Sequence, residues 1–144
     1  MDGTLDHVMM RVEDLEDALD WYQTHLGYEE TGRWEAETFT NVFLQAPGAH
    51  DEGAALELTY NHDDRTYDFG DAWGHIAVRV RDVYDAYERL MDAGVEDYRD
   101  PESCGGAHAL VPHPHGHEIQ LGQRDHGATW SLEHPTLRGE DADE

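Results

Sequence analysis

Lysine is absent from this chain of 144 residues, and all nine of its basic side chains are arginines. Against them stand 33 aspartates and glutamates, a formal net charge of −24. Nucleic-acid binding rests on neutralising phosphates with cations, so a nucleic-acid partner is excluded. The single cysteine, Cys104, rules out an internal disulfide and fits a reducing, cytoplasmic compartment. No run of 18 apolar residues occurs, so no membrane span is predicted. The opening segment MDGTLDHVMM lacks the basic and apolar stretches of a secretory leader. The acids are spread along the whole chain rather than gathered in a tail. That distribution fits a halophilic host, whose molar salt screens the self-repulsion. Length and an apolar content of 38 % suffice for one domain with a real core.

What the chain does have is an internal repeat. HVMMRVEDLEDALDWYQTHLG, from His7, aligns with HIAVRVRDVYDAYERLMDAG, from His75. His7/His75, Arg11/Arg79, Val12/Val80, Asp14/Asp82, Asp17/Asp85 and Ala18/Ala86 match in place, and Gly27 and Gly94 close the two patterns at nearly the same offset. Each segment begins with a period of two and switches to a helical period after its first Asp. Asp14 and Asp82 suit the N-cap, where a short carboxylate accepts from the first-turn amides. Gly27 and Gly94 suit the left-handed position after a helix. Further strands are predicted at 28–34, 38–45 and 54–60, then at 95–99, 107–111 and 117–122. The predicted fold class is therefore α+β, with two βαβββ modules forming a cupped mixed sheet or barrel. The first module covers 5–60, a linker loop 61–73 and the second module 74–122, with a tail 123–144 that reads as disordered at its end.

Strand parity sorts the polar residues. Val8, Met10 and Val12 share one face, with His7, Met9 and Arg11 on the other. Leu56, Leu58 and Tyr60 oppose Ala55, Glu57 and Thr59, and Ile119 and Leu121 oppose Glu118 and Gln120. Any one of these polar residues alone reads as an ordinary wet sheet face. Histidines at equivalent places of a repeat, with acids on the fourth strand of each half, point instead to one shared site.

HVMMRVEDLEDALDWYQTHLGYE, LELTYN and YDFGDAWGHIAVRV together resemble glyoxalase I (lactoylglutathione lyase) of the vicinal oxygen chelate superfamily, over about residues 5 to 122. ELTYN followed some fifteen residues later by GHIAV is the specific part of that resemblance. It implies paired βαβββ modules, a homodimer with a monomer as the alternative, and isomerisation of the hemithioacetal of methylglyoxal and a small thiol to a D-lactoyl thioester. It also implies a divalent metal held by His7, Glu57, His75 and a fourth ligand. A histidine at the first position resembles the nickel- or cobalt-using bacterial branch, with zinc or manganese as alternatives. Arg11 and Asn61 match positions that hold the glutamyl end of the thiol.

The resemblance breaks in PHPHGHEIQLG, residues 112–122. Gly116, Ile119 and Leu121 fix the register, so the family's last ligand, a glutamate, is replaced by Gln120. Glu118 lies two residues earlier on the same face, about 6.6 Å along the strand. His113, His115 and His117 fall in the turn and are expected to be exposed. Gln can coordinate but cannot accept a proton at working pH. Glu57 is therefore the expected base, with Glu118 as helper. Cys104 stands where the family carries a cation ahead of Gly-Gly, which makes a thiol without the glycine carboxylate, γ-glutamylcysteine, an alternative to glutathione. Two other readings remain: an epimerase-like metalloenzyme of the same superfamily, and a non-catalytic small-molecule binder.

Overall fold

The computed structural model describes residues 2–49, 53–113 and 116–123, so the predicted tail beyond Gln123 lies outside the described residues. The chain forms two compact units, Met1–Asp71 and Ala72–Glu144.

The first unit runs β1 (His7–Arg11), α1 (Leu15–Leu26), β2 (Glu29–Glu35), β3 (Phe39–Gln45) and β4 (Ala55–Asn61). Its sheet has the order β1-β4-β3-β2. β1 and β4 are parallel, and the other pairs are antiparallel. Asp14, in extended backbone, accepts from the amide of Asp17 at 3.0 Å and starts α1. Gly27, at φ +68°, ends it in a conformation that costs glycine nothing. Ala18, Leu19 and Tyr22 on α1 are buried, as are Met10, Leu56 and Leu58, which alternation assigns to the apolar face, and Val42 and Leu44 on β3.

The second unit repeats the plan with β5 (His75–Val80), α2 (Val83–Asp92), β6 (His108–Pro112) and β7 (Glu118–Gln123) in the order β5-β7-β6, again with the first and last strands parallel. Asp82 accepts from two amides, those of Tyr84 and Asp85, at 3.0 and 3.1 Å. The Gln123 side chain accepts from the Val83 amide at 2.8 Å and donates to the Arg81 carbonyl, fastening the end of β7 to the start of α2.

The predicted strand at 95–99 is the main departure. It shrinks to one bridge, Arg99 with Leu110, followed by a 3₁₀ turn at Glu102–Cys104. Pro101 has no N–H to extend a ladder. The flanking acids are used locally: Tyr87 donates to Asp97, and Asp100 accepts from the Ser103 amide at 2.8 Å.

Candidate active site

The parallel pairing of β1 and β4 sets His7 opposite Ala55 and Met9 opposite Glu57. His7 and Glu57 thus stand two residues apart in register on one sheet face. Their side chains span the diagonal, with His7 Nε2 3.1 Å from Glu57 Oε1. The other ring nitrogen, Nδ1, lies 2.6 Å from Asp6 Oδ2. The ring also meets Phe43 edge to face, at 5.4 Å between centroids and 86°. The hydrogen bond to Asp6, and after it the Glu57 charge, outweigh desolvation and raise the His7 pKa above 6.5. On the far side of the carboxylate, Thr59 Oγ1 lies 3.2 Å from Glu57 Oε2 and 2.8 Å from Asn41 Oδ1. That hydroxyl has one proton and serves one of the two acceptors at a time.

The second unit repeats the strand offset within its own sheet. β5 and β7 pair with His75 opposite Glu118 and Ala77 opposite Gln120. His75 and Gln120 therefore have the same diagonal offset as His7 and Glu57. Gln120 is buried at 4 % exposure, with Leu110 as its register partner on β6. Glu118 is half-buried, and His75 is exposed. Parity along one strand puts Glu118 a pleat away from Gln120. The pairing adds what one strand cannot show: Glu118 stands directly across from His75.

Arg11 and Asn61 repeat the diagonal at the other end of β1 and β4, since Arg11 pairs with Thr59. Asn61 Nδ2 donates to the Tyr67 hydroxyl at 2.7 Å, and the Tyr67 amide donates to Glu13 Oε2 at 3.3 Å. The Asn61 carbonyl oxygen is thereby turned away from Tyr67. Sequence reading did not pick out Tyr67 or Asp6, although each lies near a residue that it did pick out.

The turn histidines require a correction. His113 and His117 are buried, at 2 % and 1 % exposure, rather than exposed. The tight turn, with the His113 amide donating to the His117 carbonyl at 2.7 Å, folds the two rings together at 5.5 Å. Trp73 packs on His117 at 5.7 Å. His115 lies outside the described residues. Cys104 is buried in its 3₁₀ turn, ahead of Gly105 and Gly106, both with positive φ. A cleft of about 480 Å³ lined by Glu13, Arg33, Thr40, Tyr60 and His62 contains none of the candidate site residues.

The His7–Glu57 pair fits a divalent ion. With Nδ1–H donating to Asp6, neutral His7 points the Nε2 lone pair at a carboxylate oxygen 3.1 Å away. Two lone pairs facing each other at that range call for a proton or a cation. Metal bonds of about 2.0–2.2 Å put neighbouring donor atoms on one ion roughly 3 Å apart. Imidazole nitrogen and carboxylate oxygen are both ordinary donors for first-row divalent metals. Among the described residues, no group of three or more His, Cys, Asp or Glu converges on one point.

Residues 4–121 match the Glyoxalase/Bleomycin resistance protein/Dioxygenase superfamily. The lactoylglutathione lyase of Neisseria meningitidis serogroup B is 39 % identical over 126 residues, covering 84 % of this chain and 91 % of that one. The probable lactoylglutathione lyase of Vibrio parahaemolyticus is 35 % identical over 124 residues, 83 % of this chain and 89 % of that one. Among solved structures, the trypanothione-dependent glyoxalase I of Leishmania major is similar at a TM-score of 0.77 and 32 % identity, covering 87 % and 89 % of the two chains. The chain belongs to the Glyoxalase/Bleomycin resistance protein/Dioxygenase superfamily. Within that superfamily it is an enzyme, a glyoxalase I-like lyase.

Proposed function

We propose that this enzyme isomerises the hemithioacetal of methylglyoxal and a low-molecular-weight thiol to the D-lactoyl thioester, using a divalent metal held by His7, Glu57, His75 and Gln120. The observation that carries this reading is the His7–Glu57 pair at 3.1 Å, with its diagonal offset repeated by His75 and Gln120. A bound divalent ion would supply positive charge where the enediolate oxygens develop.

Glu57 takes the proton from the carbon that bears sulfur and hydroxyl and returns it to the neighbouring carbonyl carbon, while the hydroxyl proton passes to the neighbouring oxygen. The first carbon becomes the thioester carbonyl and the second a secondary alcohol, so the exchange of oxidation level is internal and no outside redox partner is needed. Gln120 offers an oxygen but takes up no proton. Glu118, across from His75, is the secondary acceptor. Arg11 and the outward oxygen of Asn61 bind the glutamyl end of the thiol. Cys104 supplies no charge for a glycine carboxylate, which favours γ-glutamylcysteine over glutathione. The first-position histidine favours nickel or cobalt over zinc or manganese. The working form is a homodimer in which modules of the two copies face each other.

Metal-free protein reloaded with nickel, cobalt, zinc or manganese, and assayed for thioester formation from methylglyoxal with each thiol, tests this reading. Nickel or cobalt should give the fastest turnover, and γ-glutamylcysteine should outpace glutathione. Silence with every metal and both thiols overturns the lyase reading. The missing carboxylate at Gln120 favours one rival, a non-catalytic binder of a small molecule.

A further inference from the structure

Asp6 stands one residue before β1, and the sheet fixes its backbone: its carbonyl accepts from the Ala55 amide at 3.0 Å. Its side chain is 92 % exposed, yet it turns back to His7 Nδ1 at 2.6 Å. Phe43 bounds the same ring on another side, and Glu57 faces Nε2. A histidine that donates one N–H to a carboxylate keeps its other nitrogen as a lone pair of fixed direction, and the carboxylate makes that nitrogen more basic. The second half has no equivalent, because the residue before His75 is Gly74.

We propose that Asp6 is the positioning residue for His7, fixing the Nδ1–H tautomer and the ring angle that aim Nε2 at the point shared with Glu57. The inference rests on the reading that His7 and Glu57 hold a divalent ion. It also bears on the departure at Gln120. An amide in place of a carboxylate leaves the site one charge more positive, and Asp6 returns one negative charge next to a ligand. The ligand set is thus asymmetric: the first half carries both carboxylates that act on the metal, one directly and one through His7.

The test uses the full chain without metal, as the unaltered protein and as Asp6→Leu, Asp6→Asn and His7→Ala. Cobalt affinity is measured by competition with a chromophoric chelator, and the His7 tautomer is read from nitrogen-15 shifts of the ring. Asp6 is exposed, so its variants should keep the fold, and the same spectra check this. Asp6→Leu should weaken cobalt binding by about 10–100-fold and mix the two neutral tautomers. Asp6→Asn still accepts from Nδ1 but brings no charge, so it should fall between. Unchanged affinity in Asp6→Leu, with His7 still in the Nδ1–H form, overturns the inference while leaving the metal reading intact. Cobalt affinity that His7→Ala does not alter overturns both.

Discussion

His7 and Glu57 meet across a parallel strand pair, Nε2 to Oε1 at 3.1 Å, on a diagonal that His75 and Gln120 repeat on the other sheet. The two pairs share one strand offset but end in different groups, a carboxylate in the first unit and an amide in the second. In the mechanism proposed above, the proton is therefore carried by Glu57.

Glu57→Gln should therefore remove turnover by about 10²–10⁴-fold, the range of a positioned base. Glu118→Gln should cost far less. Steady-state rates on metal-loaded protein check this, and equal losses from the two variants would move the base to a shared role.

Gln120→Glu restores the second carboxylate at a site only 4 % exposed. A carboxylate buried to that depth with no cation facing it costs more than the roughly 1–3 kcal/mol of an unmet neutral polar group. The metal-free variant should melt below the unaltered protein, and nickel should raise its Tm by more. Thermal melts with and without nickel measure both halves of that statement.

The raised pKa of His7 has a definite sign. In metal-free protein the imidazolium is held by Asp6 and then Glu57, so its stabilising contribution is fully present below pH 6.5 and is lost as pH rises through the higher folded value. Metal must displace the Nε2 proton, so cobalt affinity should climb through the same window. NMR titration of His7 should give a midpoint above 6.5. A midpoint at or below that value contradicts the assignment.

Tyr67→Phe removes the acceptor for Asn61 Nδ2 and frees the amide to turn. Losing one such bond is worth about 0.5–1.5 kcal/mol. KM for the hemithioacetal should rise about 2–10-fold with kcat little changed, because Asn61 lies four residues, roughly 13 Å, beyond Glu57 along β4. A fall in kcat at constant KM would place Tyr67 nearer the chemistry.

Most of this architecture was legible in the sequence because it rests on periodicity and caps. The alternation around Leu56 and Leu58, the N-cap carboxylates of Asp14 and Asp82, and Gly27 past its helix act over a few residues and so show in a few residues. The strand expected at 95–99 failed because Pro101 and the uses of Asp97 and Asp100 are matters of partnership rather than pattern. His113 and His117 were misread for a similar reason: polarity at a turn suggests solvent, but burial there depends on Trp73 and on the turn folding one ring over the other. Within the site, parity placed His7 and Glu57 on faces, while the offset that joins them, and the contacts of Asp6 and Tyr67, emerged only from strand pairing and side-chain geometry.

X-ray absorption at the metal edge of the nickel-loaded protein tests the central claim most directly. Two imidazoles per nickel are expected in the unaltered protein, falling to one in either His7→Ala or His75→Ala, with oxygen donors completing the shell. A single imidazole in the unaltered protein, or a shell that neither substitution changes, would contradict the proposed ligand set of His7, Glu57, His75 and Gln120.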